Sequence, residues 1–139
     1  MTRINRYRAR GRIEVKTYEP TPYEEPSGAP SLSLIKVTET FVGDIQGEGS
    51  VSFIQAARAD GSASFVGIER VRGSIAGRSG SFLLQDRGTL GGKHVAGEWF
   101  VVPDSATGDL TGLRGEGGFE AELGQHASIW LDYYFEEQR

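Results

Sequence analysis

Cysteine is absent from this chain, which excludes a disulfide framework and any thiolate chemistry. Histidine occurs only twice, at His94 and His126, each beside a turn. A metal site needs several convergent N, O or S ligands, so no metal is expected and both histidines read as exposed loop residues. No apolar run approaches the ~18 residues of a membrane span, and the N-terminus has no hydrophobic signal core. The expected location is therefore a reducing cytoplasm. No ten-residue stretch carries a helical apolar stripe. Nucleotide-loop spacing is also missing: Gly91-Gly92-Lys93-His94 lacks the hydroxyl and the preceding glycine spacing. Gly77-Arg78-Ser79-Gly80-Ser81 approaches a nucleophile elbow but fails at its last position. No cofactor is expected.

Glycine, by contrast, is abundant: 20 of 139 residues, about twice the usual ~7%. Five fall in the thirteen residues Thr107 to Phe119, mixed with Leu110, Leu113 and Phe119. A flexible linker would be polar throughout; glycine among apolar residues instead points to strongly curved β-structure. Between the glycines run short segments rich in Val, Ile, Phe, Tyr and Thr, the vocabulary of strands.

Charge is uneven. Arg3, Arg6, Arg8, Arg10 and Arg12 lie in the first twelve residues with no acid, leaving ten cations against nineteen acids in the remainder. An acidic body argues against a nucleic-acid face, which needs clustered cations. Residues 1–11 read as a basic flexible arm. Arg12 to Tyr18 alternates as a half-buried strand with Ile13, Val15 and Thr17 on one side. Residues 19–31 hold Pro20, Pro22, Pro26 and Pro30 and read as a long loop, either spanning a barrel end or acting as a lid.

Further strands are expected over Leu32 to Gly43, Ser50 to Arg58, Ala63 to Arg72, Arg78 to Arg87, Val95 to Val102, Leu113 to Ala121 and Ala127 to Glu136. The turns between them carry Gly47-Glu48-Gly49, Asp60-Gly61, Gly73 to Gly77, Gly91-Gly92 and Gly124. With the first strand this makes eight. Residues 12–139 are thus a single all-β domain, a sandwich or a barrel, and the glycine-rich strands favour an eight-stranded antiparallel up-and-down β-barrel of calycin type. Gly43 to Gly49, with Phe53 beyond, echoes Gly108 to Gly117, with Phe119 beyond.

The run Gly108-Asp109-Leu110-Thr111-Gly112-Leu113-Arg114-Gly115-Glu116-Gly117 resembles the glycine-rich strand element of allene oxide cyclases and dirigent proteins. The chain as a whole is more similar to a bacterial domain-of-unknown-function family, number 3224. That match is carried by Phe41 to Gly49, Asp60 to Val71, Gly77 to Phe82, Thr107 to Phe119 and Leu131-Asp132-Tyr133. The bacterial family implies an eight-stranded barrel and no established reaction. The plant-type barrels imply steering of a reactive intermediate inside a lumen, without metal or nucleotide. None of their catalytic groups has a residue-by-residue counterpart here.

Polar residues on apolar strand faces supply the candidate chemistry. Ile35, Val37, Glu39 and Phe41 share one face; Phe65, Gly67, Glu69 and Val71 share another; Val51, Phe53, Gln55 and Ala57 share a third. If these faces line a lumen, Glu39, Gln55 and Glu69 reach into it. Desolvation raises a carboxyl's pKa there, the property a general acid or base needs near neutrality. Trp99, Phe53, Phe65 and Tyr133 could supply aromatic walls and a phenol hydrogen bond. The structural alternative pairs Glu39 and Glu69 with Arg70, Arg78 or Arg114. Three functions follow as expectations. One is a cofactor-free isomerase or cyclase that confines a small, mostly apolar, polyketide- or lipid-like molecule, with Glu69 or Glu39 as acid/base. Another is a non-catalytic carrier. The third is a filled barrel acting through homo-oligomer association, with Trp130, Tyr134 and Phe135 at the seam.

Overall fold

A computed structural model of the chain describes residues 5–136. Eight antiparallel strands close into one barrel in chain order, each bonded to its sequence neighbours and the last to the first. They are β1 (Tyr7–Glu24), β2 (Ser31–Gly43), β3 (Ile45–Ala57), β4 (Ala63–Ile75), β5 (Arg78–Gly91), β6 (His94–Val101), β7 (Leu113–Glu122) and β8 (Ala127–Phe135). A single 3-10 turn, Gly108–Leu110, precedes β7. The expected all-β barrel with eight strands is what the chain forms. Strand existence follows from period-two alternation: along β2 every second residue from Ile35 to Phe41 is buried.

Several local expectations need correction. The strand β1 begins at Tyr7, so residues 7–11 belong to the barrel; Met1 to Ile4, including Arg3, lie outside the described residues. Tyr7 to Ile13 pairs with β8, and the arginines of this stretch point outward. Arg8 binds both carboxylate oxygens of Asp132 at 2.6 and 2.8 Å, and Arg6 lies 4.6 Å from the centroid of the Tyr134 ring. The basic cluster is thus a strand's outer face matched to its neighbour.

The proline-rich segment is also shorter as a loop than expected. β1 runs on through Pro20 and Pro22, pairing with Ile35 and Ser33, and only residues 25–30 connect it to β2. Pairing with β8 stops at Ile13, so beyond that point β1 is an edge, where a missing N–H costs least. A bulge at Lys16, between the pairs Val15–Glu39 and Thr17–Thr38, ends the simple alternation of Ile13, Val15 and Thr17.

The Gly47 to Gly49 stretch lies inside β3 and pairs with both β2 and β4; the turn before it is at Asp44. Likewise Gly73 is within β4, and the turn itself is Ala76-Gly77, both with positive φ of 53° and 77°. The two glycine-rich echoes are not equivalent: one is a β-hairpin, the other the 3-10 turn that leads into β7.

One end of the barrel is solid. Phe41, Ile45, Val71, Ile75, Phe82, Leu84, Val101, Leu113 and Leu131 form a continuous core. Leu110 of the 3-10 turn, fully buried, closes that end from below. Glycine in β7 has a specific use here. Gly117 stands between Trp99 of β6 and Leu131 of β8. With no side chain at 117, the Trp99 indole crosses β7 and donates its Nε1–H to the Trp130 carbonyl at 3.1 Å. A Cβ at Gly117 would collide with that same carbonyl oxygen.

Gly117→Ala is therefore expected to lower unfolding stability by about 1–3 kcal/mol, the usual cost of overpacking. Gly91→Ala, where an added Cβ meets nothing within 4 Å, should stay within about 0.5 kcal/mol of the parent. Urea unfolding of the two variants measures the difference.

Candidate functional site

The other half of the barrel holds a cavity of about 290 Å³. Its walls are apolar: Ile35 and Val37 of β2, Phe53 of β3, Phe65 of β4, Trp99 of β6 and Phe119 of β7. The aromatic rings form a chain. Phe53 meets Phe65 edge-on at 5.1 Å between centroids, Phe65 stacks near Phe119 at 6.2 Å, and Phe119 meets Trp99 at 5.2 Å. Each of these four rings sits directly across a strand pair from a glycine: Phe53 from Gly67, Phe65 from Gly88, Phe119 from Gly97 and Trp99 from Gly117. Val15, Tyr18 and Leu123 line the cavity yet are more than half exposed, so they mark its mouth. The bulge at Lys16 lets both Val15 and Tyr18 reach this rim.

Three carboxyls lie deep in this cavity. Glu69 is 1% exposed, Asp86 5% and Glu39 7%. Glu39 on β2, Glu69 on β4 and Asp86 on β5 converge because each occupies an inward position of its strand. Space for the Glu69 carboxyl comes from Gly49, where an added Cβ would strike Glu69 Oε2 and Phe41. None of the three forms an ion pair among the described residues. The arginines that could have neutralised them go elsewhere. Arg78 lies over the Phe135 ring at 3.9 Å, and Arg114 pairs with Glu136 at 2.7 Å. Arg70 is exposed. Glu69 Oε2 and Asp86 Oδ1 are buried without a hydrogen-bond partner.

The electrostatics follow from this burial. Desolvation, then a hydrogen bond with Glu39 and repulsion from Glu39 and Asp86, push the Glu69 carboxyl well above the ordinary range. Desolvation raises Glu39 too, while the hydrogen bond from Glu69 pulls the other way. Asp86 is raised to about 7, by desolvation first and then by the charge on Glu39, against a backbone hydrogen bond from Gly67.

Of the residues proposed from sequence, the structure brings Glu39, Glu69, Gln55, Phe53, Phe65 and Trp99 to this one cavity. Tyr133 is placed elsewhere. It packs in the filled end, 5.7 Å from Tyr7 and 6.0 Å from Phe135 between ring centroids. Trp130 and Tyr134 lie on the outer face of β8, engaged by Trp99 and Arg6. Asp86 and Phe119 are additions. Asp86 continues the buried alternation Phe82, Leu84, Asp86 along β5, a signal present in the sequence and hidden by the adjacent Arg87 and Gln85. His94 sits on β6 and pairs with Glu122 at 2.8 Å rather than lying in a loop; His126 is exposed. Among the described residues no three His, Asp or Glu side chains are grouped so as to hold a metal ion.

Fold and site together define a small, closed, eight-stranded barrel, solid at one end, with a carboxyl-floored apolar cavity at the other. The chain belongs to the family described as "Protein of unknown function (DUF3224)", whose pattern it matches over residues 9–133. It is similar to a crystal structure of a protein with unknown function from that family in Shewanella oneidensis MR-1. That likeness has a TM-score of 0.77 and 28% identity, covering 96% of this chain and 100% of the other. No curated protein matches.

The raised carboxyls determine how stability depends on pH. A carboxyl whose pKa is higher folded than unfolded binds its proton more tightly in the fold. Its stabilising contribution is complete below the unfolded value and is lost as pH rises through the folded one, at about 1.4 kcal/mol per pH unit per group. The thermal midpoint should therefore fall between pH 5 and pH 8, a window above the titration of Asp132, whose pKa Arg8 lowers. In Asp86→Asn the fall should be shallower, and the variant should equal or exceed the parent in stability near pH 8. A parent midpoint that is flat or rising across this window would refute the assignment.

Proposed function

We propose that the cavity binds one small, mostly apolar molecule and that Glu69 and Glu39 move protons to and from it. The observation that carries this reading is the placement of three buried carboxyls, without a basic partner among the described residues, at the floor of an aromatic-walled cavity. A volume near 290 Å³ is at the lower end of small-ligand sites and corresponds to roughly ten water volumes. Glu69, the more strongly raised of the two carboxyls, would act as general acid, and Glu39 would act as base. Confinement between Phe53, Phe65, Trp99 and Phe119 would restrict a flexible substrate to one conformer, an entropic contribution to rate. The reading is thus a cofactor-free isomerase or cyclase, in keeping with the resemblance to allene oxide cyclase and dirigent barrels. Gln55, at the cavity wall, would orient a polar substituent.

The same geometry serves a carrier that binds without turnover, and one measurement divides the two. Small apolar ketones in D2O report proton transfer through exchange at the carbon beside the carbonyl, followed by NMR. The acid–base reading expects protein-dependent exchange that falls at least about tenfold in both Glu69→Gln and Glu39→Gln, the scale of a lost proton-transfer group. Binding without exchange would leave the carrier. The setting that accompanies this reading is a cytoplasmic homo-oligomer. It is supported by the lack of cysteine and by an outward apolar stripe of Ile54, Val66, Ile68 and Phe100, each 41–57% exposed.

A further inference from the structure

We propose that the molecule taken by this cavity carries a positively charged amine head, with an aromatic or aliphatic body of about one ring in size. The inference rests on the lumen-binding reading above and names its ligand class.

Four observations converge. Among the described residues the cavity lining contains Glu39, Glu69, Asp86 and, at the rim, Glu122, and no Arg, Lys or His. A carboxylate ligand would meet no cation there to offset its charge. Glu69, 1% exposed, leaves Oε2 with no donor, and Asp86 leaves Oδ1 likewise. Both are buried oxygens of residues that line the cavity, with no hydrogen-bond partner among the described residues, and buried acceptors are costly unless satisfied. An ammonium group brings up to three N–H donors and the compensating charge at once. The walls suit the same head group: the Phe53, Phe65, Phe119 and Trp99 rings surround the space above the carboxyls, and aromatic faces attract cations. A bare metal ion fits less well, because no three of the described carboxyl and histidine side chains are grouped to ligate one.

Charge balance gives the proposal a distinct signature. The titratable groups lining the cavity are Glu39 of β2, Glu69 of β4, Asp86 of β5, Glu122 of β7 and Tyr18 of β1. Glu39 and Asp86 repel each other. A bound cation relieves that repulsion and favours the ionised form of Asp86, so binding near neutral pH expels a proton from the site.

The test is calorimetric titration near pH 7 with three matched probes: phenethylamine, phenethyl alcohol and hydrocinnamate. The amine should bind at least about tenfold tighter than the alcohol, and hydrocinnamate should bind weakest. Amine binding should release protons, seen as a heat that changes with the ionisation enthalpy of the buffer; alcohol binding should not. Asp86→Asn and Glu69→Gln should each lower amine affinity about tenfold, while binding of the uncharged alcohol persists and shows that the variants retain the cavity. Equal affinity for amine and alcohol, or a preference unaltered in both variants, would overturn the cationic head and leave the lumen reading standing. No binding by any probe would overturn both.

Discussion

Four large rings in the cavity wall each face a glycine on a neighbouring strand, and this pairing is what the barrel depends on. Eight strands enclose too little space for inward side chains of uniform size. Phe53 over Gly67, Phe65 over Gly88, Phe119 over Gly97 and Trp99 over Gly117 alternate bulk with its absence around the wall. A Cβ at any of these glycines would overlap either the ring or the opposing backbone. Glycine in a strand normally weakens it through lost packing and added chain entropy. Here the ring from across the ladder covers the exposed backbone, so burial offsets that weakness. The Trp99 indole, bridging β6 to β8 over Gly117, ties three strands with one side chain.

The same device makes room for the buried carboxyls. Gly49 leaves the volume that the Glu69 carboxyl occupies, so a carboxyl sits where a barrel of this size would ordinarily place a methyl group. The filled end, sealed by Leu110, and the carboxyl-bearing end share Trp99 and Ile13 in their walls. A rigid packed base therefore holds the site. Its acids are kept close in apolar surroundings with no counter-charge among the described residues, an arrangement costly to stability. The outward arginines show that cations were available nearby: Arg8 meets Asp132, and Arg114 meets Glu136 and Asp104.

Much of this was legible in residue order. Turn signals, strand-forming residues and even spacing located all eight strands, and period-two alternation placed Glu39, Glu69, Gln55, Phe53 and Phe65 on inward faces. It failed where the meaning of a residue depends on its neighbours in space. Pro20 and Pro22 lie in a strand because β1 has lost its β8 partner there; no local feature reports that an edge is free. Gly47 and Gly49 resemble a turn, yet they are strand residues whose missing side chains accommodate the opposing backbone and Glu69. Tyr133 alternates correctly to face inward, but its height along the barrel puts it in the solid end rather than the cavity. Asp86 carried the same alternation as Glu39 and was masked by the charged and polar residues flanking it.

Alternation, glycine content and the absence of cysteine and of helical stripes by themselves determined an all-β barrel with acids on inward faces. These are properties of one strand at a time, set by the two-residue repeat of the extended chain. Tertiary structure alone decided which end is filled, which rings line the open end, and that three carboxyls from β2, β4 and β5 meet without a cation among the described residues. Those outcomes depend on register and on height along the barrel axis. Bulges such as that at Lys16 and the shear of the closed sheet set both through contacts between residues far apart in the chain.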